Sequence, residues 1–192
     1  NVGKVLVVTP DKDIDKVIKK IGGNSFFSES HHETGTDRVF EAFKKHFSEK
    51  PKFIINLQGD MPNLNSSAIK KLIEHMKKNS CDIATLASKI EKKEELKNPN
   101  ICKVITNKPI KENEFASALD FNRILDGSMS ENIYHHIGIY AFTNKALIKY
   151  VSLKRSKLEI DRKLEQMRAL ENNMKIDVGY INSCPLSIDT EE

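Results

Sequence analysis

The sequence predicts an α/β fold in which a mainly parallel sheet is flanked by helices. Short apolar runs of strand length alternate with segments of helical period along most of the 192 residues. Helical segments between strands are the usual crossover connections of parallel strands. The length suits one domain with a sizeable core, and we expect residues 1–192 to form it.

The first half of the chain supplies three strand and helix pairs. Residues 11–21 predict an amphipathic helix whose inward face carries Ile14, Val17, Ile18 and Ile21. A later helix begins near Thr36 or Asp37, either of which is a suitable N-cap. The predicted strands are 4–9, 25–28 and 52–57, and the predicted helices are 11–21, 36–47 and 65–78.

The second half continues the alternation with one weak region. Residues 108–131 mix Gly, Asn, Ser and charges with only two short apolar pieces, so we expect either a substrate-covering loop or a partly mobile segment there. About 108–142 is then an excursion that covers substrate or forms a dimer contact. The predicted strands are 82–89, 101–106, 133–142 and 176–181, and the predicted helices are 144–151 and 157–172.

Composition excludes several classes of protein. Thirty-one basic against 27 acidic residues give a formal charge of +4, and the lysines are scattered, unlike the basic stripe of a nucleic-acid binder. Three widely spaced cysteines indicate neither a disulfide framework nor a zinc site. No run approaches the roughly 18 apolar residues of a membrane helix. We therefore expect a soluble cytoplasmic protein with no nucleic-acid or membrane partner.

Common catalytic signatures are missing from the sequence. It contains no Gly-x-Ser-x-Gly elbow, no P-loop and no His-Glu-x-x-His helix. Serine hydrolase, P-loop kinase and zincin functions therefore have no support.

Asp60 is the strongest candidate for a metal ligand. It follows a buried strand through Gln58 and Gly59, and ligands of open α/β sheets collect beyond the carboxyl ends of the strands. Asp189 stands at a similar position late in the chain, and two carboxylates from separate strands suit a Mg²⁺ that carries phosphate oxygens. On residue types alone, the start of a turn is the commoner explanation of Asp60.

Residues 31–38 predict an anion-binding loop at a helix start. Gly35 and Thr36 open the helix, where free backbone N–H groups attract anions, and Arg38 adds a fork of donors. An ordinary capped helix with Arg38 in solvent explains the same residues. His31 and His32 are equally consistent with surface positions.

Three further polar residues sit among apolar neighbours. His136 and Tyr140 share one face of the predicted strand 133–142, where they face either a cavity or a hydrogen-bonding partner in the core. Glu165 lies within an apolar pattern, although an exposed helix face is the commoner explanation for it.

In order along the chain, these segments resemble the 3-deoxy-manno-octulosonate cytidylyltransferases. Residues 32–38 (His-Glu-Thr-Gly-Thr-Asp-Arg) and 56–62 (Asn-Leu-Gln-Gly-Asp-Met-Pro) are similar to two motifs of that family. Residues 98–104, 136–140 (His-Ile-Gly-Ile-Tyr), 163–171 and 189–192 are similar to four more. The resemblance spans nearly the whole chain.

The resemblance implies a Rossmann-like homodimer that uses Mg²⁺ to join CTP and 3-deoxy-manno-octulosonate, releasing pyrophosphate. By the same resemblance, the metal ligands and catalytic residues are Asp60 and Asp189, and the nucleotide contacts are Gly35, Thr36, Arg38 and Gln58. The sugar-acid contacts it implies are Gln58, His136, Tyr140 and Glu165, with Arg123 on a looser match.

The sequence also departs from that family. Its members begin with a strand and a glycine- and arginine-rich loop that grips the triphosphate, and by comparison with the family's length we expect about forty residues of that kind to be absent from this sequence. Met61 replaces a usual Glu, and His135 a usual Arg. Two alternatives therefore stay open: a CMP-sialate synthetase-like enzyme, and a non-catalytic relic that binds or assembles.

Overall fold

The structure is a computed structural model that describes residues 3–47 and 51–186. The chain divides into two compact units, Asn1–Pro51 and Lys52–Glu192. Within the described ranges, no helix is both long and apolar enough to cross a lipid bilayer. Asp189 lies outside the described residues, so its place beside Asp60 stays a prediction, as does a single domain over residues 1–192.

The first unit is a strand, helix, strand and helix. The elements are β1 (Val7–Thr9), α1 (Lys12–Lys20), β2 (Ser25–Phe27) and α2 (Gly35–His46). Strands β1 and β2 pair in parallel, and helix α1 connects them as the sequence predicts. Asp11 caps α1, because its side chain accepts hydrogen bonds from the backbone N–H groups of Asp13 and Ile14.

The apolar face of α1 is exposed, which corrects the expectation that it is buried. Ile14, Val17 and Ile21 retain 48%, 57% and 73% of their surface. The first unit packs only a two-stranded sheet of three-residue strands against this helix. A sheet of that size covers little apolar surface, so the period of the helix was right and its burial was wrong.

The second unit holds a six-stranded sheet and four helices. The strands are β3 (Phe53–Leu57), β4 (Ile83–Lys89), β5 (Lys103–Thr106), β6 (Phe115–Asn122), β7 (Ile133–Thr143) and β8 (Ile176–Tyr180). The helices are α3 (Ser66–Lys78), α4 (Asn144–Ser152), α5 (Lys157–Arg162) and α6 (Gln166–Glu171). The strand order in the sheet is β3-β7-β4-β8-β6-β5.

The α/β class is confirmed, but this sheet is mixed where a mainly parallel one was expected. Strands β6 and β7 run opposite to the other four, and β4–β8 is the parallel neighbour pair. The expected loop over residues 108–131 contains β6, which follows β5 without an intervening helix. Strands joined without a crossover helix pair antiparallel, and this accounts for the difference.

The two faces of β7 pack against different helices. Ile137, Ile139 and Ala141 join Leu72 and Met76 of α3 in one buried cluster. On the opposite face, the rings of Phe142 and Tyr150 of α4 lie 5.9 Å apart. The alternation of β7 therefore separates an apolar face from a face that carries His136 and Tyr140.

The helix expected over residues 157–172 is two helices, α5 and α6. The break lies at Lys163, whose φ of 55° is left-handed and ends α5. Arg168 forms hydrogen bonds to both oxygens of Glu159, at 2.9 and 2.6 Å. In a straight helix these residues would stand about 13 Å apart along the axis, so the break permits their pairing.

Candidate active site

The loop after β3 places Gln58 against β7. An alanine Cβ at Gly138 would lie 3.8 Å from Gln58 Cδ, so the amide passes directly over this strand. The β4–β7 register shifts between Thr85 and Leu86, so that Gly138 and Ile139 of β7 are not opposite any residue of β4 in the register of this strand pair. Such irregularities bend a strand, and they are frequent beside active sites.

Asp60 lies in this loop, and one of its carboxylate oxygens is buried without a hydrogen-bond partner among the described residues. Met61 is only 8% exposed and packs in the apolar cluster under α3. This packing holds the backbone in place directly after Asp60. Asp60 Oδ1 is buried and has no hydrogen-bond donor within the described part of the chain. A buried carboxylate oxygen is costly unless something pairs with it, and a divalent cation is a suitable partner. The residue therefore fits the predicted metal site.

His136 is buried on β7 and held from two sides. Its Nε2 lies 2.9 Å from Thr85 Oγ1, and its backbone N–H donates to Cys102 O at 2.8 Å. The ring centres of His136 and Phe121 lie 4.9 Å apart, and the two ring planes are nearly perpendicular. Burial, and then the neighbouring His135, lower the pKa of His136 to about 3, so the ring is neutral at physiological pH.

Tyr140 links the other residues expected to bind the sugar acid. Its ring lies 5.5 Å from that of His136, and it is 4% exposed. Burial is the main cause that raises the pKa of Tyr140; Glu165 raises it further, and Arg123 opposes the rise. These charges act on one buried hydroxyl. The structure therefore brings Gln58, His136, Tyr140, Glu165 and Arg123 together within the second unit.

Glu165 lies at the bend between α5 and α6, not on an exposed helix face. Its backbone carbonyl accepts a hydrogen bond from Tyr150 Oη at 2.9 Å. The guanidinium of Arg168 lies 4.5 Å from the Tyr150 ring centre and is paired with Glu159. The buried ion pair therefore fixes the bend from which Glu165 projects.

Two polar residues of this region were given no role by sequence reasoning, which favoured an exposed helix face for Gln166. Gln166 is 5% exposed, and its amide lies 3.5 Å from Cys102 Sγ. Lys103 is fully buried on β5. A signal was available for both, because they lie in segments 98–104 and 163–171, which carry the family resemblance.

The predicted nucleotide loop lies in the first unit. Thr34 is the N-cap of α2, where Thr36 or Asp37 was expected, because the chain is extended only up to Thr34. A Cβ at Gly35 would meet nothing within 4 Å, so the backbone there is open to a ligand. Arg38 Nε is buried without a hydrogen-bond acceptor among the described residues. The nucleotide roles of Gly35, Thr36 and Arg38 stay predictions.

A second group of potential metal ligands is better explained as structural. The ligand atoms of His75, Cys81 and Asp177 lie within 4.8 Å of one another. However, His75 Nε2 is already 2.8 Å from Asp177 Oδ2, and the ammonium of Lys175 is 3.5 Å from the same oxygen. A neighbouring ammonium opposes a cation, so this group ties α3 to β8.

Comparisons with known proteins agree with these features. The 3-deoxy-manno-octulosonate cytidylyltransferase of Bartonella quintana is 42% identical over 190 residues, which are 98% of this chain and 77% of that protein. The enzyme of the same name from Rickettsia canadensis is 39% identical over 193 residues, covering 100% of this chain and 76% of that protein.

Solved structures show the same fold. A CMP:2-keto-3-deoxy-manno-octonic acid synthetase complexed with CTP matches with a TM-score of 0.85 and 28% identity, over 98% of this chain and 76% of that one. A 4-diphosphocytidyl-2C-methyl-D-erythritol synthase from Anaerococcus prevotii, at 18% identity and a TM-score of 0.61, shares the fold. A family model described as cytidylyltransferase matches residues 1–176. The chain therefore belongs to the cytidylyltransferase family, together with the 3-deoxy-manno-octulosonate cytidylyltransferases.

Proposed function

We propose that this chain transfers CMP from CTP to 3-deoxy-manno-octulosonate and releases pyrophosphate. The observation that carries the proposal is the grouping beside β7 of Gln58, His136, Tyr140, Glu165 and Arg123. These side chains offer the donors and acceptors that a polyhydroxylated acid requires. Relatives 37–42% identical over nearly the whole chain carry the matching name.

The reaction needs positioning more than a protein nucleophile. A sugar hydroxyl attacks the α-phosphorus of CTP and forms the new O–P bond, the bond to the pyrophosphate leaving group breaks, and the hydroxyl proton is released. Holding the two substrates in line removes most of the entropic barrier. His136 takes part as a neutral hydrogen-bonding group, since its pKa of about 3 keeps it uncharged.

Asp60 is the described residue best suited to hold Mg²⁺. Its buried Oδ1 has no hydrogen-bond partner in residues 3–47 and 51–186, and a carboxylate with several waters is the usual protein share of a magnesium site. When bound, the ion neutralises negative charge on the phosphates. The second ligand of the proposal is Asp189.

The cellular setting of the proposal follows from the same family. We place the reaction in the cytoplasm, in lipopolysaccharide biosynthesis, with a homodimer as the active form. Light scattering during size-exclusion chromatography measures the dimer directly, and a purely monomeric protein at assay concentration would contradict that part.

A pyrophosphate-release assay tests the function. The protein with Mg²⁺ is given CTP, ATP, GTP or UTP, each with 3-deoxy-manno-octulosonate or with sialate. We expect turnover with CTP and 3-deoxy-manno-octulosonate only, and none after chelation of the metal. Turnover with sialate alone would assign the protein to the other sugar acid, and binding of ligands without turnover would support a non-catalytic relic.

A further inference from the structure

Lys103 presents a buried ammonium to backbone carbonyls. Its Nζ donates to Asn98 O at 2.7 Å, to Ile101 O at 2.9 Å and to Arg123 O. These bonds use all three donors of the ammonium. Burial lowers the pKa of Lys103, which reflects the cost of a charge at this position.

The three carbonyls join two segments beside the sugar site. Asn98 and Ile101 bound a turn before β5, and Arg123 follows β6. Arg123 is tied to that turn twice, because its Nη1 also donates to Pro99 O at 3.1 Å. The carbonyl of the residue before Lys103 accepts the backbone N–H of His136. The ammonium is therefore a common anchor for the turn before β5 and for the end of β6 that leads to the Arg123 guanidinium.

Packing alone does not require a charge here. The next residue, Val104, is also fully buried, and a methionine would fill the space of Lys103 without the cost of removing an ammonium from water. Among the described residues, the hydrogen-bond partners of this ammonium are neutral carbonyls. Its positive charge is therefore not cancelled by a bonded carboxylate, and it adds to that of Arg123 close by.

We infer that Lys103 is a positioning residue for the carboxylate of the sugar acid. It fixes the backbone of Arg123 and the turn before β5, so that the guanidinium meets the substrate carboxylate in a two-point contact. The inference rests on the proposed function and deepens it, because it assigns recognition of the acid group to one end of the site. CTP recognition is not expected to depend on Lys103.

Steady-state kinetics of Lys103→Met tests the inference. The variant keeps the length of the side chain and removes its charge and donors. We expect KM for 3-deoxy-manno-octulosonate to rise about tenfold or more, while KM for CTP stays within about twofold. Lys103→Gln, which keeps an amide donor and so protects the fold, should show an intermediate rise.

A double variant separates positioning from general damage. If Lys103 acts through Arg123, then Lys103→Met added to Arg123→Ala should raise the sugar KM no further than Arg123→Ala alone. Leu147→Ala is the control, since it removes a fully buried side chain of α4. It should lower the melting temperature and leave both KM values unchanged.

The outcomes distinguish this inference from the proposed function. Equal rises in both KM values, multiplying effects in the double variant, or a sugar KM unchanged in Lys103→Met would each overturn the role of Lys103 while the unsubstituted protein remains active. Absence of turnover and of calorimetric sugar binding in the unsubstituted protein would overturn the proposed function, and this inference with it.

Discussion

The polar face of β7 and the loop after β3 face the same site but are built differently. On β7, His136 has a side-chain partner in Thr85 and a backbone partner in Cys102. In the loop, Asp60 Oδ1 is buried and has no partner among the described residues. One region is satisfied by the protein itself, and the other is completed only by something that binds.

The difference indicates that β7 and the loop after β3 have different roles in the site. A satisfied, rigid face holds its donors and acceptors in place before substrate arrives, which is how a site avoids reorganisation during the reaction. An unsatisfied carboxylate oxygen costs free energy in the empty protein and regains it when a cation binds. The comparison therefore predicts that changes on β7 affect folding and substrate fit, whereas a change at Asp60 affects catalysis without harming the fold.

Asp60→Asn should give the largest effect. We expect turnover to fall by about a thousandfold or more, because the amide weakens a metal ligand, while the melting temperature stays the same or rises. The measurement is pyrophosphate release across a magnesium titration, together with thermal unfolding.

Asp126→Asn is the matched control for Asp60→Asn. The Asp126 side chain is 90% exposed and only loosely paired, at 3.9 Å from Lys97 Nζ, so turnover should not change. Normal activity in Asp60→Asn at saturating Mg²⁺ would show that Asp60 is not a metal ligand. A large drop in the melting temperature of this variant would show that Asp60 stabilises the fold, as the residues on β7 do.

Glu159→Gln should have the second largest effect, this time on the fold. Glu159 and Arg168 are only 1% and 3% exposed, and the amide would leave the guanidinium buried without its counter-charge. Breaking a buried pair in this way costs about 3–5 kcal/mol of unfolding free energy. Urea denaturation measures the loss. The sugar KM should rise as well, because the bend that carries Glu165 loosens.

Asp13→Asn is the corresponding change in an exposed pair. Lys16 and Asp13 are 74% and 88% exposed, and pairs of this kind contribute little to stability. The urea midpoint of this variant should match that of the unsubstituted protein. If Glu159→Gln also left the urea midpoint unchanged, the bend between α5 and α6 would be held by packing alone.

The sequence predicted local order well and long-range pairing poorly. Helix α1 and the strand before Asp60 depend on neighbouring residues, and the structure contains them. Strand β6 was missed because its Ala, Ser and Asp residues carry little strand signal, and it exists through pairing with β5 and β8. Tertiary contacts therefore determine that these residues form a strand.

The site shows the same limit. The position of Asp60 after its strand follows from local pattern, since an apolar run ends there in Gln-Gly-Asp. The burial of Lys103 does not follow from local pattern, although it lies in a segment that resembles the family, because its acceptors come from residues up to 20 positions away. The break at Lys163 likewise depends on the pair between Glu159 and Arg168, which no helical period reveals.

His136 should make stability depend on pH. Its pKa is about 3 when folded and near 6.5 when unfolded, so the unfolded chain binds a proton between these values and the folded chain does not. Stability from this group is therefore complete above pH 6.5 and falls as the pH drops toward 3. Between pH 7 and pH 5 we expect a loss of about 2 kcal/mol.

The comparison with His136→Gln isolates this contribution. Urea denaturation at pH 7, 6 and 5 should show the stability gap between the two proteins narrowing as the pH falls, since the glutamine does not titrate. A difference in unfolding free energy that stays constant with pH would mean that His136 accepts a proton in the folded state. The polar face of β7 would then be more accessible to water than its contacts indicate.

Two glycine substitutions give the smallest expected effects and test where the site leaves space. At Gly138 an added Cβ would lie 3.8 Å from Gln58 Cδ, an ordinary contact, so Gly138→Ala should change the unfolding free energy by less than about 1 kcal/mol. At Gly179 it would lie 2.5 Å from the ring of Phe115. That ring is stacked on His75 at 3.6 Å and has little freedom to retreat. Gly179→Ala should therefore cost about 1–3 kcal/mol by urea denaturation. Equal losses in the two variants would show that β7 beside Gln58 is as tightly packed as the interior strand β8, and that the site has no room at Gly138 for a substrate.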